Sequence, residues 1–150
     1  MLDATHRHFT VDAANAFVPR LQEVFTAIRG DLEALRDVAR ALAADGFPLS
    51  EDGPVEVDPT APEAVQKRQA EAHDLASRIG AALDEVAAIG VEVKGVDGLV
   101  DFRTRLGDEV VYLCWHFGED RIAHWHELDG GFAGRQAIRA DDVFEGDELQ

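Results

Sequence analysis

Residues 79–102 read IGAALDEVAAIGVEVKGVDGLVDF, and the fold turns on what happens at Gly90. Up to that glycine the apolar residues Ile79, Leu83, Val86 and Ile89 recur at three or four positions, the spacing that lines one face of an α-helix. Beyond it, in VEVK and GLVDF, apolar and charged residues alternate with a period of two, the pattern of a half-buried strand. The change of period predicts a helix that stops at Gly90 and a sheet that begins at once after it.

Upstream, the helical stripe continues through Val65, Ala72 and Leu75, so a helix is expected over about residues 61–89. Thr60 stands three residues before Glu63, the spacing of a capping box, with Pro62 in the first turn. A longer stripe, Phe17, Leu21, Val24, Ile28, Leu32, Leu35, Val38 and Leu42, predicts another helix over about residues 11–45. Thr10 is its expected N-cap and Gly46 its stop, and Pro19 implies a kink or a short lead-in helix. Between the two helices, residues 46–62 hold four prolines and several acids, the composition of an exposed connector. Two long helices joined by one loop read as an antiparallel hairpin.

Downstream, VEVK, GLVDF, VVYLCWHF and IAHWHEL are separated by Gly and Asp and predict four short strands within residues 91–128. A Gly-rich loop follows at 129–136, and residues 139–150 form an acidic tail, expected to be loosely held. The expected fold is therefore α+β: a long antiparallel helical hairpin followed by a small antiparallel β-meander of about four strands, as a single domain over residues 1–138.

Thirty acidic against fourteen basic residues give a formal charge of -16, which repels phosphate backbones and anionic lipid heads. Nucleic acid and membrane surfaces are thus excluded as expected partners. No apolar run is long enough for a membrane span and the first residues lack a signal-peptide core, so a cytoplasmic location is expected. A single cysteine, Cys114, can close no internal disulfide and build no multi-thiolate zinc site.

Chemistry concentrates in the segment 122–136, IAHWHELDGGFAGRQ. On a strand, His124 and His126 share one face, and two imidazoles at that spacing can hold a divalent transition metal such as zinc. Which groups join them depends on register. In one parity Trp115 lies opposite His124 and Leu113 opposite His126, a packed face; in the other Cys114 and Tyr112 take those places and His116 joins them. Gly118 suits a type II′ turn with Glu119, which favours the packed face. A buried, inert Cys114 thiol is the preferred reading over a nucleophile.

Other signatures fail. The Gly118 to His-x-His spacing imitates the start of a cupin motif, but the helices leave too few strands for that barrel. HELDG is not His-Glu-x-x-His, and His73 lacks the Glu-x-x-His of a di-iron bundle. In DGGFAGRQ, Arg135 offers a planar fork for a carboxylate or phosphate, beside glycines that permit close approach; the alternative is a turn whose Arg135 pairs with Asp101 or Glu119. Asp101 stands in an apolar strand and needs a cationic or hydrogen-bonding partner, for which Lys94 and Arg135 are available. A polar cluster of Asp101, Glu119, His126 and Arg135 is expected at one end of the sheet.

The motifs FTVDAANAFVPRL, GVEVKGVDGLVDF, VYLCW and WHELDGGFAGRQ, in that order, resemble the uncharacterised bacterial family named domain of unknown function 2203. The resemblance covers nearly the whole chain apart from the connector and the tail. It implies that Lys94, Asp101, Cys114, Trp115, Glu119, Trp125, His126, Phe132, Gly134 and Arg135 fall on the family's characteristic positions, whereas His124 departs from the aromatic or aliphatic residue expected there. It implies no activity.

The leading functional expectation is an oligomeric binding module, a homodimer through its hairpin stripe, with a polar pocket for a small anionic ligand formed by Arg135, Gly134 and Lys94. The alternative is a hydrolase-like enzyme whose divalent metal is held by His126 with His124 or His116, Arg135 binding an anionic substrate. A metal-free acid–base pair would draw on His126, Glu119 and Asp101.

Overall fold

The computed structural model describes residues 7–50 and 52–147. It is α+β, with helices first and an antiparallel sheet after Gly90. The helices are α1 (Val11–Asn15), α2 (Val18–Ala44) and α3 (Glu63–Ala87); the strands are β1 (Glu92–Gly95), β2 (Leu99–Leu106), β3 (Glu109–His116), β4 (His124–Glu127), β5 (Gln136–Ala137) and β6 (Phe144–Glu145). Among the described residues no helix is long and apolar enough to cross a membrane. Two compact units share the chain, one from Met1–Phe25 with Leu83–Gln150 and one from Thr26–Ala82.

In the Thr26–Ala82 unit the two long helices run antiparallel, as the pairs Asp31 with Arg78 and Asp45 with Arg68 require. Such exposed, solvent-screened pairs contribute little. Apolar burial decides the pairing: Ile28, Leu42, Val65, Ala72, Leu75 and Ile79 are buried, and fully burying one such aliphatic side chain is worth about 1.5–3 kcal/mol. Helix α2 ends where expected. Gly46 takes φ +87°, Phe47 donates its N–H to the Leu42 carbonyl and Gly46 donates to Ala43, a Schellman closure. Phe47 and Leu49 of the connector then pack against Leu42, Ala61 and Val65. One local expectation fails at the start of α3. The Thr60 hydroxyl donates to the Asp58 carboxylate at 2.7 Å, so it is spent on an Asx-type turn rather than on a capping box with Glu63.

The other unit begins with α1, capped by the Thr10 hydroxyl, which accepts from Ala13. This is the lead-in helix; Pro19 then occupies the first turn of α2, where its missing N–H costs nothing. The sheet has the order β1-β2-β3-β4-β5, all antiparallel, and β6 pairs with the far end of β2. Two short strands, β5 and β6, thus extend the four expected. Up to Asp147 the tail is also held more firmly than its acidity suggests, because Phe144 is buried against Trp125 and Asp147 returns a backbone bond to His8; residues 148–150 lie outside the described residues. One sheet face, carrying Phe102 and Trp115, packs on Phe9 and Phe25 with ring centroids 5.1 and 6.1 Å apart. That apolar layer fixes which residues remain for the opposite face.

Candidate functional site

Strand pairing settles the parity. The β3–β4 partners are Cys114 with His124 and Tyr112 with His126, so the packed arrangement favoured by the type II′ turn is overturned. The connection is not a tight hairpin: the ladder breaks off after Cys114 and His124, and side chains pin the intervening loop. The Glu119 carboxylate accepts from the His116 N–H at 2.7 Å, the Glu119 carbonyl accepts from Trp115 Nε1 and Gln22 Nε2, and Asn15 Oδ1 accepts from the Ile122 N–H. Turn-type preferences govern two-residue loops, whereas here tertiary hydrogen bonds hold the register. The β2–β3 pairing adds Asp101 opposite Cys114 and Arg103 opposite Tyr112, and β1 adds Glu92 opposite Asp101. The face turned away from Phe9 and Phe25 is therefore a row of ionisable groups.

At its centre, Asp101, Cys114 and His126 are 3%, 0% and 2% exposed. Each supplies one ligand atom to a group whose members lie within 4.8 Å of one another. His126 Nδ1 stands 2.7 Å from the Glu127 carbonyl. A carbonyl only accepts, so Nδ1 carries the proton and the Nε2 atom turns toward Asp101 Oδ1 at 3.1 Å. Two bare lone pairs cannot rest at that distance; a proton or another cation must sit between them. Burial raises the Asp101 pKa against the opposing pull of His126. Burial, with the Asp101 charge next, pushes the Cys114 thiol up to about 12, so as a free group it stays protonated and non-nucleophilic.

Beside this triad lies a second group. Arg135 Nη2 donates to both Glu119 oxygens at 2.9 and 2.8 Å, and also contacts the Cys114 carbonyl at 3.3 Å and His124 Nδ1 at 3.1 Å. Its Nε is buried without a partner. The Phe132 ring lies over the guanidinium, 4.6 Å from centroid to Cζ, and is half exposed at the tip of a short 3-10 turn (Phe132–Gly134). Gly131 needs its φ of +61° to enter that turn; Gly134 has open space where a Cβ would lie.

A third group occupies the β1 side. Glu92 accepts from Tyr112 at 2.7 Å and from Arg103 at 3.0 Å, and pairs with Lys94 at 3.1 Å. Lys94 also sits over the Tyr112 ring at 5.0 Å.

The expected polar cluster is thus divided. Asp101 pairs with His126, whereas Arg135 pairs with Glu119, one of the two acids offered as its partner. Of the metal candidates, His126 joins Asp101 and Cys114; His124 is engaged by Arg135 and Glu119, and His116 lies 3.9 Å from Asp97 with its ring beside Phe132. His73, outside the sheet, bonds the Val55 carbonyl. Lys94 stands apart from Arg135, with Tyr112 and with Glu92, a residue not singled out from sequence. The Asp101–Cys114 partnership was available from the sequence: a two-residue Gly107–Asp108 turn aligns Leu106 with Glu109, and counting back places Asp101 opposite Cys114.

A family model described as "Uncharacterized conserved protein (DUF2203)" matches residues 7–138. No curated protein and no solved structure matches the chain.

Proposed function

Because the chain belongs to the DUF2203 family, whose description assigns no activity, its function must be read from the site, and we propose that it is a binding module whose pocket is the polar face of the sheet. Its ligand in this reading is a small anion, a carboxylate or phosphate, taken by Arg135. The observation that carries it is the buried, unspent Nε of the partly buried Arg135, whose Nη2 is shared among four acceptors. A purely structural Arg–Glu pair would use the fork of Nε and Nη2 together, since that geometry matches a carboxylate. Displacement of the half-exposed Phe132 ring would open the guanidinium to a ligand. Lys94 shares the Glu92 carboxylate with Arg103 and stands apart from Arg135, so the anion reading rests on Arg135.

Titration with inorganic phosphate and with a dicarboxylate, followed by NMR at the Arg135 Nε–H, tests this. Saturable shifts are expected, with at least about tenfold weaker binding in Arg135→Lys, equivalent to ~1.4 kcal/mol. Equal binding by the variant, or no perturbation at Arg135, sinks the anion reading. An acid–base enzyme built on His126 and Asp101 is the weaker alternative, because both groups are nearly inaccessible to a substrate.

The proposal includes a homodimer. In the two-helix unit Leu32, Leu35 and Val38 are partly buried, and a second helical layer from another copy would complete their burial. Sedimentation velocity should find dimer; monomer at every concentration removes this component and leaves the pocket reading intact.

A further inference from the structure

We propose that Asp101, Cys114 and His126 form a binding site for a divalent transition metal ion of the zinc class. The inference rests on the reading of the sheet's polar face as a ligand-binding face, and names a second ligand for it. Three adjacent strands, β2, β3 and β4, each contribute one donor, so the frame that holds the donors is a continuous hydrogen-bonded ladder rather than a loop. The donor set mixes a soft thiolate, an imidazole and a carboxylate, a combination that zinc accepts and that magnesium or calcium does not favour.

Geometry supports it further. Zinc bonds of about 2.0–2.3 Å at a tetrahedral centre put neighbouring donors roughly 3.3–3.6 Å apart. The Asp101 Oδ1 to His126 Nε2 separation is 3.1 Å, and the remaining donor pairs lie within 4.8 Å. The bond from His126 Nδ1 to the Glu127 carbonyl is the outer-shell contact that metal-bound histidines typically make, and it leaves Nε2 as the ligand atom. Charge balance agrees: one carboxylate and one thiolate with a divalent cation give a neutral buried cluster, so no net charge is desolvated. The donors are 0–3% exposed, so the ion would be held out of bulk water, and three protein donors leave the fourth tetrahedral position to a water or a further ligand.

The test is titration of the full-length, tag-free chain with Co2+ and then Zn2+. One cobalt per chain is expected, with a thiolate-to-cobalt charge-transfer band that Zn2+ abolishes and a higher midpoint of thermal unfolding with zinc. Cys114→Ser should lose the band, and Asp101→Asn should bind at least about 10–100-fold more weakly. No cobalt uptake by the wild-type chain, or a band and affinity unchanged in both variants, overturns the proposal. If a variant fails to fold, the wild type decides by itself: zinc must shift the His126 Nε2 resonance, and a shift confined to His73, or none, overturns it. Arg135→Lys separates the two ligands, because it should lose phosphate binding and keep cobalt. Phosphate binding without cobalt binding overturns the metal site alone, and the converse overturns the anion reading alone.

Discussion

At the scale of single residues, the tautomer of His126 sets the energetics of the sheet's polar face. With Nδ1–H given to Glu127, the Nε2 atom depends on Asp101 for its partner in a pocket almost closed to water. Asp101→Ala should therefore cost roughly 3–5 kcal/mol in urea unfolding, the range for breaking a buried pair from one side. Asp101→Asn should cost far less, about 1 kcal/mol, since its amide can donate to Nε2; equal losses in the two variants would contradict the tautomer assigned. Glu92 gives the pH dependence. Burial opposes its charge, but hydrogen bonds from Tyr112, Lys94 and Arg103 outweigh that and hold the carboxyl below its usual range. A folded value below the unfolded one means that the stabilisation is complete above the unfolded value and disappears as pH falls through the folded one. Wild type should exceed Glu92→Gln in stability at neutral pH, and the two unfolding curves should converge in acid. Asp101 drew attention in the sequence because a charge in an apolar strand needs a partner; Glu92 did not, since alternate charges on an edge strand look like ordinary solvated positions.

At the scale of elements, helix ends and periods were legible because they are local. Gly46 and Gly90 stop α2 and α3 where the stripes end, and Pro19 sits in the first turn of α2, just after the lead-in helix α1. The glycines of the sheet differ among themselves in a testable way. A Cβ on Gly98, at φ +111°, would meet the Phe117 Cβ at 2.5 Å, whereas Gly107 at φ +64° has nothing within 4 Å. Gly107→Ala should thus lose only the left-handed cost of about 1–2 kcal/mol. Gly98→Ala should lose roughly 2–5 kcal/mol, because overpacking of about 1–3 kcal/mol adds to it. Urea midpoints that rank the two in the opposite order would show that Phe117 moves aside freely. The β3–β4 connection is the element that local rules misjudged. Gly118 does take a positive φ, yet the loop's backbone is bound by Asn15, Gln22 and Trp115, none of which belongs to a hairpin's own turn chemistry.

For the molecule as a whole, the C-terminal segment shows how composition can mislead. The acidity of residues 139–150 suggested a loose end, but β6 pairs with Arg105 and Leu106, and Phe144 is 5% exposed. Phe144→Ala should accordingly cost about 3–5 kcal/mol in a denaturation experiment, as for other buried aromatic truncations, and a loss under 1 kcal/mol would restore the loose-tail description. The amino-acid sequence by itself determined the α+β class, the two long helices, their connector and the antiparallel order of β1 to β4, because hydrophobic period, glycine stops and proline positions act over a few neighbouring residues. It also marked candidate side chains of the sheet and its loops, Asp101, Cys114, Glu119, His126 and Arg135 among them. What only the tertiary structure decided is which of them meet. A shift of one residue between β3 and β4 exchanges Trp115 for Cys114 opposite His124, and the energy that selects between the two parities comes from side chains distant in sequence: Asn15 and Gln22 on the helices, and the packing of Trp115 on Phe25.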